Sequence, residues 1–216
     1  NLEGWQLAEV AVFYGIANLA FAIADAVTEG FDSAGELVRR GAFDRMLLRP
    51  RGTVLMMLGY EFTLRRIGRL LQAIVILGYG VIATSAPLPA IATALLLVWS
   101  LTGAAFLFFG IRIVQACLSF KTVESIEIMN VFTYGGVYAA SYPSSIFSDW
   151  FRKLLTYGVP LAAVSYYPAL TLMGRADPLG SPSWVGWLTP AAGLAFCGLA
   201  LLLWQRSLRW YASTGT

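Results

Sequence analysis

Histidine is absent from this sequence, and its absence removes a large group of chemistries. Without imidazole there is no His-based acid–base catalysis, no Ser–His triad and no His metal site. Cysteine is scarce as well, and Cys117 and Cys197 both lie in apolar runs, so we interpret them as buried free thiols. We therefore expect no catalytic residue, no metal and no cofactor in this chain.

A phosphate-binding loop is also missing. The P-loop motif G-x-x-x-x-G-K-[ST] needs glycines, because they leave the backbone N–H groups open to phosphate. The nearest string, Ser119-Phe120-Lys121-Thr122, lacks those glycines. Any ATP and Mg²⁺ that drive work here must bind a separate subunit.

Charge is sparse, and this decides the fold class. Only 12% of the 216 residues are charged and 58% are hydrophobic, whereas soluble domains have about 25% charged residues. A bilayer accepts apolar side chains on every helix face, but a soluble protein of this size could not bury so many. The basic residues gather beside apolar runs instead of forming a patch, so no nucleic acid is expected. The composition predicts an all-α integral membrane protein with one transmembrane domain over residues 1–216.

Hydropathy predicts five membrane spans. They cover residues 5–28, 70–86, 88–111, 122–142 and 184–208. The chain begins at Asn1 without a signal-peptide pattern. We expect a further helix before Asn1, which would bring the number of spans to six.

Basic residues set the orientation. Cytoplasmic loops of membrane proteins carry an excess of Lys and Arg. If residues 31–69 are cytoplasmic, only Arg152, Lys153 and Arg175 lie outside. The other twelve basic residues are then inside: Arg39, Arg40, Arg45, Arg49, Arg51, Arg65, Arg66, Arg69, Arg112, Lys121, Arg206 and Arg209. This distribution predicts a multi-pass protein with its C-terminus in the cytoplasm.

Residues 32–50 predict a short amphipathic helix on the cytoplasmic surface. Ser33 and Glu36 have capping-box spacing, and Pro50 would end the helix. Apolar residues at helical spacing give it a partial apolar face: Leu37, Phe43, Met46 and Leu47. This face could lie on lipid, or it could dock a cytoplasmic partner with Phe43 and Leu47 as anchors. A second interfacial helix, over residues 53–69, would lead into the next span.

Residues 143–173 do not have the composition of a soluble loop. They contain two apolar pieces, 146–157 and 159–173, which are interrupted around Gly158 and Pro160. Each piece is short for a span. We predict a pair of re-entrant helices on the extracellular side, which protein or a water-filled cavity must surround.

Three segments together resemble a known family. RRGAFDRMLLRP (39–50), YPSSIFSDWFRKLLTYGVPLAAVSYYPALTLMG (142–174) and RWYASTGT (209–216) occur in the same order in bacterial ABC transporter permeases of the ABC-2-type exporter class. The resemblance covers nearly the whole chain, but the family has six spans and this sequence contains five.

The resemblance implies a location in the bacterial inner membrane, with ABC ATPase subunits and a second or related permease as partners. It also implies export of an amphiphilic or hydrophobic substrate, such as a lipid, peptide or antibiotic. The first segment would be the coupling helix in a cleft of the ATPase. Its residues are Arg39, Arg40, Phe43, Asp44, Arg45, Met46, Leu47 and Arg49.

Polar and aromatic residues within the spans are candidates for a translocation pathway. The candidates are Phe106, Phe109, Glu127, Phe132, Tyr134 and Tyr138. Acids inside a membrane are costly and mark functional sites by default, but such acids usually find partners, and we favour a pair of Glu127 with Arg112. The aromatic residues could line a route for an apolar substrate, or they could be packed core and lipid-facing residues. Asp25 and Glu29 are expected to be solvated at the cytoplasmic interface.

Two other functions are compatible with the sequence. A membrane-embedded enzyme that acts on lipid would need polar groups at the outer face, where the candidates are Asp149, Arg152, Lys153 and Arg175. A non-enzymatic assembly protein would need no such polar groups. Co-purification of an ATPase would favour the exporter over both.

Overall fold

The computed structural model describes residues 4–58, 60, 67–85, 87–120 and 125–211, without the side chains of 125–129 and 210. Within these ranges every regular element is helical. Three helical stretches are long and apolar enough to cross a membrane: Leu7–Val27 (α1), Ala90–Ser119 (α7) and Val185–Ser207. Ile67–Ala83 (α6) and Leu161–Met173 are apolar but shorter.

Shorter helices connect these elements. Four of them lie between α1 and α6: Glu29–Asp32 (α2), Ala34–Arg39 (α3), Ala42–Leu47 (α4) and Thr53–Leu58 (α5). After α7 come Ser125–Ala140 (α8), Asp149–Lys153 (α9), Leu161–Val164 (α10) and Tyr166–Met173 (α11). The last apolar stretch consists of Val185–Leu188 (α12) and Ala191–Ser207 (α13). The predicted interfacial helix 53–69 corresponds to α5, and most of its remainder, 59 and 61–66, lies outside the described residues.

The main core forms where α1 packs against α6 and α7. A second close contact is made by α13, which packs along α7. Glycine allows the second contact to be very close, because a Cβ on Gly193 would lie 1.9 Å from the carbonyl oxygen of Gly103. On α6, a Cβ on Gly80 would lie 2.8 Å from the backbone nitrogen of Val12. Small residues at such crossings are the usual means of packing helices inside a membrane.

Helix α7 continues well past the predicted end of its span at residue 111. It has 30 residues, which gives a length of about 45 Å against about 30 Å of hydrocarbon. A charged residue usually marks the end of a span, but Arg112 lies within this helix and its side chain is buried. The last two turns of α7 therefore form part of a second hydrophobic cluster.

This second cluster, the basal cluster, joins the short helices to the ends of two long ones. Its buried members are Phe31, Ala34, Leu37, Val38, Phe43, Met57, Ile113, Ala116, Cys117, Ala200 and Trp204. They come from α2 to α5, from the C-terminal part of α7 and from the C-terminal part of α13. The short helices are thus packed against the bundle through buried side chains.

The prediction of one continuous helix from Ser33 to Pro50 is wrong. Ser33 makes no side-chain cap, and Glu36 instead forms an ion pair with Arg40 at 2.5 Å. The helix breaks at Gly41, whose φ of +62° is left-handed. In a straight helix Leu37 and Phe43 would point about 120° apart, and the break allows both to enter the basal cluster.

Residues 143–173 are helical in several short pieces. A π-helical turn, Leu154–Gly158, follows α9, and the chain then breaks before α10 begins at Leu161. A second, unpredicted break at Ser165 separates α10 from α11. All four residues of α10 are buried, against α7, α8 and α13. This segment is therefore an integral part of the bundle core.

Candidate functional site

A buried arginine connects the two cores. Arg112 on α7 is only 1% exposed. One terminal nitrogen donates to Asp25 Oδ1 at 2.9 Å, and the other donates to Asp32. Gln115, one turn further along α7, donates to the same oxygen of Asp32 at 3.0 Å. The buried guanidinium is thus paired with two carboxylates, and a charge removed from water needs such partners.

This network corrects one expectation from the sequence. Asp25 is not solvated, because it is 7% exposed and paired with Arg112. The suggested partner of Arg112 was Glu127, but the terminal nitrogens of Arg112 bind acids at the end of α1 and in α2. The side chain of Glu127 lies outside the described residues. An arginine in an apolar run signals the need for an acidic partner, but it does not identify which helix supplies it.

A second arginine lies beside the network, on the surface of the bundle. The guanidinium of Arg69 on α6 lies 5.4 Å from the ring centre of Phe21 and 3.9 Å from Asp25 Oδ2. The guanidinium of Arg112 lies 5.8 Å from the same ring and 5.5 Å from the ring of Tyr134. The aromatic faces therefore contribute cation–π contacts to both charges.

Arg69 lines an open cavity of about 220 Å³, which we name the lateral groove. Its residues come from α1, α6 and α8: Tyr14, Asn18, Phe21, Arg69, Gln72, Tyr134, Val137 and Tyr138. Two of the predicted pathway residues, Tyr134 and Tyr138, therefore lie together here, and both are exposed. Asn18 bridges α1 and α8 by donating to Ser141 Oγ at 3.0 Å.

The other predicted pathway residues lie elsewhere. Phe106 and Phe109 line a separate, almost wholly apolar cavity of about 350 Å³, together with Ile23, Val27 and Leu58. Phe132 is half-buried against the main core. The structure does not bring the predicted aromatic residues together in one route.

Phe43 is not available to a partner as an exposed anchor. Its side chain is fully buried, with its ring centre 5.2 Å from that of Phe120, 5.1 Å from Tyr211 and 6.2 Å from Trp204. Edge-to-face packing of this kind stabilises a core. Phe43 therefore attaches α4 to α7 and α13, which corrects the expectation that it protrudes.

Two hydrogen bonds strengthen this attachment. The hydroxyl of Tyr211 donates to Asp44 Oδ1 at 2.9 Å, and the indole nitrogen of Trp204 donates to Thr53 Oγ1 at 3.0 Å. Burial and the hydrogen bond with Asp44 raise the pKa of Tyr211 to about 12, so its hydroxyl is protonated and donates at neutral pH. The chain after α13 is thereby held to α4.

The remaining predicted coupling residues lie on α4, at the end of α3 and just after α4. Arg39, Arg40, Arg45, Leu47 and Arg49 are exposed, and Met46 is half-buried. Leu48, which sequence analysis overlooked, is 85% exposed. Beside them is an open groove of about 490 Å³, the tip groove. It is lined by Ala42, Arg45, Met46, Arg49, Arg51, Leu55, Met56 and Tyr60. Arginines and apolar side chains thus alternate on one exposed surface.

The polar residues at the opposite end of the bundle belong to two different places. Arg175 forms an ion pair with Glu9 of α1, donates to the Gly4 carbonyl at 3.2 Å and lies 3.8 Å from the ring centre of Trp5. Arg152 instead pairs with Asp149 at 2.7 Å within α9. These contacts hold that end of the bundle together and do not bring Arg175 into one cluster with Asp149 and Arg152.

The comparisons with known proteins give one match. A search of curated proteins and a search of solved structures found no significant similarity. The model of the family described as "ABC-2 family transporter protein" matches residues 1–215. That family consists of membrane components of ABC transporters, which are not catalytic themselves and normally work with ABC ATPase subunits. With almost every residue matched, this helical membrane protein belongs to the ABC-2 transporter family and is a permease of an ABC transporter.

Proposed function

We propose that this permease is the membrane-spanning subunit of an ATP-driven exporter, and that the exposed surface of α4 docks its ATPase. One observation carries the proposal. Arg45, Leu47 and Arg49 are exposed, while Phe43 and Asp44 fix α4 to the bundle. A force applied to such an element reaches α7 and α13 without bending a flexible loop.

The proposed mechanism is a rocking motion of helices. Closure of the ATPase subunits on ATP would displace α4 and α5 together with the basal cluster. Because that cluster includes Ile113 of α7 and Trp204 of α13, both long helices would move with it. Rigid-body motions about packed interfaces are a common form of such transitions. Arg112, bonded to Asp25 and Asp32, would carry the motion to α1.

In this proposal the basic end of the bundle, with the C-terminus, lies in the cytoplasm of a bacterium, and the chain crosses the inner membrane. Five spans are proposed for this sequence. The segment from Pro143 to Met173 would form re-entrant helices that cap the outer side. The burial of α10 among other helices supports this, since irregular backbone at membrane depth needs protein around it.

The proposed assembly contains two permeases, identical or related, and two ATPase subunits that bind ATP and Mg²⁺. The proposed substrate is amphiphilic or hydrophobic. Native mass spectrometry of the complex purified in mild detergent tests the assembly, and at least four chains are expected. A stable monomer that is active in transport without an ATPase would contradict the proposal.

A further inference from the structure

The lateral groove has the features of a binding site for a head group. Its base is the surface of α1 that carries Tyr14 and Asn18, and its walls are α6 and α8. The wall residues are accessible, since Tyr138 is 71% exposed and the side chain of Arg69 is 47% exposed. A ligand could therefore enter from the side of the bundle.

The hydrogen-bond donors in the groove favour an anion. Asp25 lies 3.9 Å from Arg69, too far for a hydrogen bond, and it already accepts from Arg112 at 2.9 Å. The guanidinium of Arg69 carries five N–H donors and no acceptor. The amide of Gln72 and the hydroxyls of Tyr14 and Tyr138 add further donors beside it. Phosphate oxygens accept such bonds, and arginine binds them in a bidentate manner.

The size of the groove limits what it can enclose. At about 220 Å³ it is smaller than typical pockets for drug-sized ligands, which measure about 300–1,000 Å³. It could hold a head group but not the apolar part of an amphiphile. Beyond the groove, α6 exposes Val75 and Tyr79, three and seven residues after Gln72 and hence on the same helix face. An acyl chain could lie along this strip.

We propose that the lateral groove binds the phosphate-bearing head group of a membrane amphiphile, with Arg69 as the principal ligand. The inference rests on the proposed function, because it names the substrate class of that transport. Tyr134 and Tyr138, which line the lateral groove, then form part of the site where the substrate enters the permease. Phe106 and Phe109, in the separate apolar cavity, do not contact this substrate.

Native mass spectrometry of the purified permease tests the site. The permease is titrated with phosphatidylglycerol, phosphatidylcholine or inorganic phosphate, and the bound fraction is measured. We expect phosphatidylglycerol to bind more tightly than phosphatidylcholine. Arg69→Gln should weaken phosphatidylglycerol binding about tenfold, the effect of losing one charge-assisted hydrogen bond. Arg69→Lys should retain part of the preference.

Two further variants keep the test decisive. Gln72→Glu leaves Arg69 in place but adds a carboxylate one turn away on an exposed position, and it should also weaken phosphatidylglycerol binding. Arg209→Gln removes another exposed arginine, which lies outside the groove, and it should leave binding unchanged. Equal binding by wild type, Arg69→Gln and Gln72→Glu would overturn the proposal.

The remaining outcomes are also decisive. Equally strong binding of inorganic phosphate would mean that the groove binds free phosphate and not an amphiphile. A change in the permease monomer–dimer ratio with Arg69→Gln, without a change in lipid binding, would assign the groove to a second permease copy. Both results contradict the proposal. None of these readouts involves the ATPase, so they are independent of the four-chain assembly that tests the proposed function.

Discussion

At the scale of single residues, the buried ion pair of Arg112 and Asp25 is where we expect a substitution to cost the most stability. A buried ion pair adds little net stability, because the desolvation of both ions offsets their attraction. Removing one partner is different, since it leaves the other ion buried and uncompensated. Arg112 has two acidic partners, so its loss affects both.

We predict that Arg112→Gln lowers the free energy of unfolding by about 3–5 kcal/mol, the usual cost of breaking a buried ion pair. Denaturant titration of the permease in detergent measures it. Combining Arg112→Gln with Asp25→Asn should recover part of the loss, because the double variant no longer buries a carboxylate that has lost its hydrogen bond to Arg112. A double variant as unstable as the sum of its single variants would show that the two residues do not interact.

The hydroxyl of Tyr211 makes a smaller contribution. Tyr211→Phe removes only the hydrogen bond to Asp44 and keeps the ring contacts with Phe43 and Phe120. Asp44 has other interactions as well, so a loss of about 1–2 kcal/mol is expected at neutral pH. Thermal unfolding should show a lower midpoint for Tyr211→Phe than for wild type. An unchanged midpoint would mean that the bond to Asp44 does not hold the C-terminal segment.

At the scale of elements, the contact between α7 and α13 depends on two glycines that face each other. The Cβ of a residue at 193 would meet the backbone of Gly103. A backbone cannot give way as a flexible side chain can, so the two helices would have to separate. Gly198 lies on the same helix, but a Cβ there has no neighbour within 4 Å.

The two glycines of α13 therefore give a matched pair of variants. We predict that Gly193→Ala destabilises the permease by about 1–3 kcal/mol, the usual cost of overpacking. Gly198→Ala should be neutral or slightly stabilising, since alanine favours a helix. Unfolding midpoints of both variants provide the comparison, and equal midpoints would contradict the close crossing of α7 and α13.

The elements also show how far sequence reasoning extends. Composition and hydropathy predicted an all-helical membrane protein because long apolar runs depend only on local sequence. The break near Gly158 and Pro160 was predicted for the same reason. The break at Gly41 was missed, because it arises from the burial of Leu37 and Phe43 in a cluster assembled from distant helices.

The candidate site was less predictable than the fold. The surface of α4 was identified by its arginines, but Phe43 was assigned to the wrong side, since an amphipathic pattern does not show which face a distant helix covers. The lateral groove contains residues from three helices. Only Tyr134 and Tyr138 were identified from the sequence, because they are aromatic residues within a predicted span. Arg69 was counted among the cytoplasmic basic residues, at the end of the predicted interfacial helix 53–69.

At the scale of the whole molecule, orientation is the first property to test. The basic end contains α4 and the end of α13, and the opposite end contains Arg175 and Trp184. We predict that an impermeant thiol reagent applied to intact cells modifies Ser183→Cys and leaves Arg209→Cys unmodified. The buried native cysteines provide a low background. Modification of the cysteine at 209, with none at 183, would reverse the proposed topology.

The most direct test of the central claim is the affinity of the ATPase subunit for α4. Leu47→Ala combined with Arg49→Ala removes an exposed apolar side chain and a charge, and neither contributes to the basal cluster. If α4 is the docking element, this variant should bind the labelled ATPase subunit about thirtyfold more weakly, as expected for about 2 kcal/mol. Its unfolding midpoint should be unchanged, and Arg209→Ala should bind like wild type. Wild-type affinity in the double variant would mean that α4 lies on lipid and that the ATPase docks elsewhere.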